Sequence, residues 1–437
     1  MNDAVTEVTN SRLARIRSLL VTFVLAVIVS GLAAVFARFF RESILFVLEQ
    51  VGGDKKSTVV AQQTPRLVVF VLVTSGLLAA SWIARVAMRW RHERLGLGAV
   101  AEAARGNGAG PSVGGTLVRA SGTWISMSTL ASLGREAAIL ETGGSVGAWV
   151  GKKMRRPPAD LAATGIAAAF AAAYHAPIGA FLYVREHVVN RAERRTIGCT
   201  LAGGVFGYLI TVHFLGGTTI FHRGNHPLSG GSFVRAAVGL VPALVSTRVF
   251  FALRGRLTPR NEPCIESRRV WLRSLAFASV GGLTVALVPM TSGNGMEAIR
   301  EGFAKATVGL ALALCVGKLI ATTASIASGA PGGVFSPSMA VAAGAALLSY
   351  EAFTKAGVTL PGSHWDGMLA AMSVGIAVGT RTPLVGVVVV AELAGDVRLI
   401  PVCAASVAVA KLIEVSADRL RLVRRIEPPV DTVSVDG

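Results

Sequence analysis

The chain has 437 residues, 52% of them hydrophobic and only 16% charged, with a mean hydropathy of +0.58. Ordinary soluble domains carry about 25% charged residues, so composition argues against a soluble globular protein. The net charge of +18 would suit a nucleic-acid binder, but the basic residues form short clusters between apolar runs, with no basic stripe and no interleaved aromatics, which excludes that partner.

Residues 1–16 are too polar for a secretory leader, and the uncharged run at 18–37 is too long for the apolar core of one. A short polar segment followed by a retained first span is therefore expected. A bilayer crossing takes about 20 residues. Runs long enough lie at 18–37, 67–84, 196–221, 274–296 and 319–350. Shorter apolar runs lie at 161–174, 236–247, 368–379, 382–390 and 399–410. The pattern predicts an all-α polytopic membrane protein whose helices have unequal lengths, some tilted or re-entrant. Basic clusters at Arg12/Arg15/Arg17, Lys152/Lys153/Arg155/Arg156, Arg191/Arg194/Arg195, Arg254/Arg256/Arg260 and Arg421/Arg424/Arg425 mark cytoplasmic loops and ends under the positive-inside rule. Both termini are then expected on the cytoplasmic side of the inner membrane.

The run at 318–349 has its only charge at Lys318 and is interrupted by Gly329-Ala-Pro331-Gly-Gly333, with Pro337 close behind. Lipid cannot satisfy the backbone groups that such a break frees, so the break must line protein or a polar cavity. A half-helix beginning there would aim free N–H groups and a positive dipole end at an anion. A second break, Gly134-Arg135-Glu136, precedes another small-residue stretch. Glu136 would sit in the first turn of that half-helix and compete with an anion for the same N–H groups; protonation would let the side chain leave and the anion take its place. The plainer alternative is a carboxylate that only satisfies the helix start or pairs with Arg135. Glu141 faces elsewhere and has no legible role.

Two stretches about 206 residues apart share a pattern: His175-Ala-Pro177 with Glu186, and Arg381-Thr-Pro383 with Glu392. In each, an apolar run separates a proline from a glutamate, and a glycine-rich break lies upstream. Matched interruptions in two halves point to a transporter site at a repeat interface. The expected organisation is a cytoplasmic segment 1–16, membrane halves 17–225 and 230–425, and a cytoplasmic tail 426–437. Glu186 is either a proton acceptor at the cytoplasmic end of a span or a helix-end carboxylate paired with Arg185 or the basic loop. Glu392 is expected to make a structural ion pair.

Other signals are weaker. Gly143-Gly-Ser145-Val-Gly147 fits a nucleophile-elbow spacing but lacks the strand before it; small residues there suit close helix packing. His222 and His226 lie in a glycine-rich connector without a third metal ligand, and the four cysteines (Cys199, Cys264, Cys315, Cys403) form no CxxC pair, so neither a metal site nor a disulfide framework is expected.

Together the motifs resemble the CLC chloride channels and chloride/proton exchangers. Ser328-Gly-Ala-Pro-Gly-Gly-Val-Phe-Ser-Pro337 resembles that family's GGxFxP filter segment, Gly134-Arg-Glu136 its GREGP segment, and the His175–Glu186 and Arg381–Glu392 stretches its two other recurring segments. The resemblance runs from about residue 17 to 425. It implies an inverted-repeat homodimer with one pore per subunit, no organic cofactor, and protons and small anions as substrates. Glu136 would be the gating glutamate and Glu186 the inner proton glutamate. The anion would be bound by Gly134, Arg135, Glu136 and Ala137, by Val334 and Phe335, and by Leu97 and Gly98.

Departures accompany it. Gly96-Leu97-Gly98 is the best match to the family's GSGIP segment, with Leu97 replacing a serine; Gly106-Asn-Gly-Ala-Gly-Pro111 competes but leaves little room for two helices before Gly134. Ala137-Ala138 stands where Gly-Pro is usual. No tyrosine follows Tyr350, so the family's central tyrosine is missing, and the inner side of the central site is expected to be greasier and its coupling leakier. The chain ends too soon after the last helix for the cytoplasmic nucleotide-binding domains of larger relatives. A chloride/proton antiporter, a passive chloride channel or transporter of another anion, and a binding relic all remain open.

Overall fold

The computed structural model describes residues 2–91, 93–108, 110–189, 194–216, 220–221, 228–258 and 267–419, with side chains described from residue 17. The loop carrying His222 and His226, Cys264, the basic cluster around Arg421 and the tail 426–437 lie outside the described residues.

The described chain is helical almost throughout. The elements are α1 (Asn2–Gly52), α2 (Ser57–Gln63), α3 (Arg66–Arg91), α4 (Leu97–Ala104), α5 (Val113–Ser128), α6 (Glu136–Lys153), α7 (Pro158–Tyr174), α8 (Pro177–Tyr183), α9 (Arg194–Phe214), α10 (Gly230–Leu257), α11 (Arg268–Leu287), α12 (Met296–Ala304), α13 (Val308–Leu312), α14 (Lys318–Ala327), α15 (Phe335–Lys355), α16 (His364–Gly379), α17 (Pro383–Ala394) and α18 (Ile400–Arg419). Single π turns extend α8 (Val184–Val188) and join α13 to α14 (Ala313–Gly317). Among the described residues, seven helical stretches are long and apolar enough to cross a membrane.

Three expected boundaries move. The run at 274–296 is not one span: α11 ends at Leu287, and Pro289 opens a short 3-10 turn before α12. Proline there removes a helical donor and fixes φ, so the chain turns. The short run at 236–247 is the middle of the 28-residue α10, with Pro242 inside it. The span predicted to reach residue 221 stops at Phe214; Phe221 instead donates its N–H to the Leu393 carbonyl (2.9 Å).

The repeat is visible in the backbone. His175 (φ 54°) and Arg381 (φ 57°) both adopt the left-handed conformation, each just before the proline that opens α8 or α17. Such a conformation costs a non-glycine residue about 1 kcal/mol or more, yet both halves keep it, because it turns the chain sharply between α7 and α8 and between α16 and α17. Asp160 and Asp366 are also mates. Each lies in the first turn of α7 or α16 and accepts a hydroxyl hydrogen bond from a long neighbouring helix, from Thr196 on α9 (2.6 Å) and Ser232 on α10 (2.6 Å) respectively.

Gly143 and Gly147 let α6 lie directly on α7. A Cβ on Gly147 would fall 1.9 Å from the Leu161 carbonyl oxygen, and one on Gly143 2.5 Å from that of Gly165. The glycine spacing that mimicked a nucleophile elbow is thus a packing seam, as expected from small residues in membrane helices.

Candidate functional site

Both breaks open a helix, α6 at Glu136 and α15 at Phe335. They meet. Gly134 donates its N–H to the Gly333 carbonyl (2.9 Å), and the Gly333 N–H returns to the Gly134 carbonyl (2.6 Å), a single antiparallel bridge between the halves. Only glycine fits: a Cβ on Gly134 would lie 2.9 Å from the Gly333 oxygen and 2.1 Å from a Glu136 carboxylate oxygen. Two helix N-termini therefore converge, each with unsatisfied N–H groups and a positive dipole end.

Glu136 occupies this junction and is only 4% exposed. Its Oε1 accepts from the Ser336 hydroxyl (2.5 Å) and more weakly from the Asn294 amide (3.4 Å). Its Oε2 has no hydrogen-bond partner among the described residues and lies against Gly134 and Gly333. A buried carboxylate oxygen without a donor is costly, so this oxygen is held weakly in a place suited to a mobile anion. The Ser336 hydroxyl lies 3.0 Å from that of Tyr174, and both residues are buried. Glu136, Ser336 and Tyr174 form a short hydroxyl chain that links α6, α15 and α7.

Phe335 sits in an aromatic cage. Its ring meets the edge of Phe170 (5.5 Å between centroids), tilts against Tyr174 (5.1 Å) and lies 6.2 Å from Tyr183. The C-terminal tyrosine is absent, but two phenols reach Phe335 from α7 and α8. Tyr174, Ser336 and Asn294 were missed for one reason: Tyr174 and Ser336 stand inside quoted motifs, yet hydroxyls carry no periodicity of their own, and Asn294 comes from a distant turn.

Leu97 begins α4 after Gly96 (φ 112°), and α4 packs on α6, α7 and the π turn after α8. Two helices, α4 and α5, lie between Gly96 and the break, whereas only α5 follows Pro111. The start of α4 borders an unforeseen ion pair. Arg119 Nη1 lies 2.6 Å from both carboxylate oxygens of the buried Glu141, beside Gly96. Leu97 packs against the core, and Gly98 faces open space. The structure brings Gly134, Glu136, Val334 and Phe335 together; Arg135 and Ala137 flank Glu136 and are partly exposed. Arg41 and Arg300 lie within electrostatic reach of Arg135, which collects positive charge next to Glu136.

Lys318 is fully buried, and its ammonium donates to the carbonyls of Thr291 (2.9 Å) and Gly293 (2.5 Å), with Ser292 at 3.5 Å. It thereby fixes the turn that presents Asn294 to Glu136. Lys318→Met is expected to cost about 3 kcal/mol, since buried carbonyls lose a charged donor, and to lower the thermal midpoint in a detergent melt.

Among the described residues, Glu186 and Glu392 meet backbone N–H groups and not a basic side chain within ion-pair distance. Glu186 accepts from the Val385 N–H (3.3 Å), and Glu392 from those of Ile178 (2.9 Å) and Gly179 (2.7 Å).

The family model described as "Voltage gated chloride channel" matches residues 75–414. The chain belongs to the voltage-gated chloride channel family. Among relatives of this family, a protein of Ralstonia nicotianae named for its likeness to the chloride channel protein ClcB is 27% identical over 359 residues, 78% of this chain and 81% of that protein. The H(+)/Cl(-) exchange transporter ClcA of Klebsiella pneumoniae is 28% identical over 285 residues, 61% of this chain and 59% of that transporter. The fold is shared with a slow cyanobacterial Cl-/H+ antiporter (TM-score 0.73, 17% identity, 92% of this chain and 99% of that one) and with a CLC-type fluoride/proton antiporter (TM-score 0.66, 17% identity, 90% and 95%). This family member is a multi-pass membrane protein and not an enzyme.

Proposed function

We propose that this protein exchanges chloride for protons across the inner membrane, with Glu136 as the gate. The observation that carries the reading is the meeting of two broken-helix starts around one buried carboxylate. Chloride, stripped of water, takes the place of the Glu136 side chain and is held by backbone N–H groups of Gly134 to Ala137 and of Val334 and Phe335. Dipoles bind it without a full opposite charge, so it can leave again. Arg41, Arg135 and Arg300 raise the local anion concentration at the outer mouth. Protonation neutralises Glu136, weakens its hold on the Ser336 hydroxyl and the Asn294 amide and opens the path. Leu97 and Gly98 lie at the start of α4 on the inner side of this path. Both termini face the cytoplasm, the two halves 17–225 and 230–425 form one pore, and two chains make a homodimer.

The test is chloride flux in proteoliposomes with simultaneous pH recording. A chloride gradient is expected to drive protons in the opposite direction, and chloride turnover to rise as pH falls, because more Glu136 is then neutral. Chloride movement without any proton movement would instead establish a passive channel, and a silent, folded dimer a binding relic.

A further inference from the structure

Glu186 and Glu392 occupy matched positions and perform the same task. Each carboxylate leaves the end of one half's short helix and accepts N–H groups at the start of the other's: Glu186 on Val385 in the first turn of α17, Glu392 on Ile178 and Gly179 in the first turn of α8. These are the donors that a helix start leaves free. A reciprocal tie made in both halves is a structural clasp.

The next position breaks the symmetry. Leu393 follows Glu392, is buried, and lies inside an α-helix that continues to Ala394. His187 follows Glu186 and lies in the π turn Val184–Val188, for which α17 has no counterpart. Such turns recur at functional sites. The His187 ring is partly exposed and packs on buried Tyr183 (5.1 Å between centroids). Tyr183 stacks on Phe170 (4.7 Å), and Phe170 packs on Tyr174 (4.8 Å), whose hydroxyl reaches Glu136 through Ser336. A column of rings thus joins a partly exposed imidazole to the buried carboxylate.

The geometry points to His187, not Glu186, as the residue that exchanges protons with the cytoplasm. This assignment rests on the proton-coupled reading above. A hydronium ion gives one proton to an imidazole ring nitrogen and leaves as water; the imidazolium then gives a proton to a water on the Glu136 side, and that hydronium protonates the carboxylate, so each N–H or O–H bond formed matches one broken, while Phe170, which cannot carry a proton, only spaces the two ends. Histidine suits the task because its charge changes near neutral pH. The charged and titratable groups around it are Arg185 and Glu186 on its own turn, Tyr183 on α8, Tyr174 on α7, and Arg105 at the end of α4. Arg105 donates to the Val188 carbonyl (2.6 Å) and, at 3.5 Å, to that of His187, and pairs with Glu102 (3.0 Å), which holds the turn by its backbone.

The full chain in proteoliposomes, under a chloride gradient with pH recording, tests this. His187→Leu, which copies Leu393, is expected to lower proton flux roughly tenfold or more, the scale of a lost acid–base group, with chloride flux largely kept. His187→Glu restores proton flux, which a merely structural role would not predict. His187→Gln serves as the second non-titrating variant should leucine impair folding. Glu186→Gln is expected to weaken the clasp, seen as a lower thermal midpoint, while the folded protein keeps its proton-to-chloride ratio. Unchanged coupling in His187→Leu or His187→Gln overturns the assignment, as does loss of proton flux confined to Glu186→Gln. A wild type that moves no protons removes the coupled reading itself, and this assignment with it.

Discussion

Glu136→Ala is expected to abolish proton movement while chloride continues to flow, now uncoupled. Among the described residues the carboxylate is the only acid at the junction of the two breaks, and its Oε1 bonds to Ser336 and Asn294 are replaced by nothing in alanine. The vacated space is lined by helix-start N–H groups, which favour an anion. Proton flux should fall by roughly 100-fold, within the range for removal of a positioned acid–base group, and chloride affinity should rise because its internal competitor has gone. The check is paired: flux with pH recording for coupling, and titration calorimetry for chloride binding. Proton transport that survived in a folded Glu136→Ala protein would mean that the carboxylate plays no part in coupling.

The second large effect concerns the hold on that carboxylate. The Ser336 hydroxyl, fully buried, donates to Glu136 at 2.5 Å and is itself backed by Tyr174. A hydrogen bond to a charged group contributes about 1.5–3 kcal/mol. Ser336→Ala should therefore destabilise the state in which Glu136 blocks the site by that amount, and every 1.4 kcal/mol is a factor of about ten in occupancy. Apparent chloride affinity at neutral pH is expected to rise about tenfold or more, and chloride flux to lose much of its dependence on pH. Tyr174→Phe should act in the same direction by less, since a neutral hydrogen bond is worth about 1 kcal/mol. Equal chloride affinity in wild type and Ser336→Ala would show that the hydroxyl does not hold the gate.

The membrane class, the two breaks and the repeat were legible in the residues because each rests on a local rule. Lipid penalises free backbone groups, so Pro331 and the glycines beside it can stand in an apolar run only where protein covers them. Proline fixes where α8 and α17 begin, and the matched glutamates betray the duplication. Boundaries at 214, 287 and 230 were not legible, since hydropathy alone does not tell a turning helix from a continuing one.

What only the tertiary structure decided is which groups meet. Sequence placed Glu136 at a helix start, but the bridge between Gly134 and Gly333, which joins residues about 200 positions apart, is a consequence of folding the two halves together. No tyrosine follows Tyr350 in the chain, yet Tyr174 and Tyr183 reach the Phe335 ring from the other half, which no local pattern shows. The Glu186 carboxylate meets the α17 backbone, mirroring Glu392 on that of α8, a pairing that no local pattern announces. A residue's type is written locally; its partners depend on contacts between distant segments, and no periodicity in the chain records them.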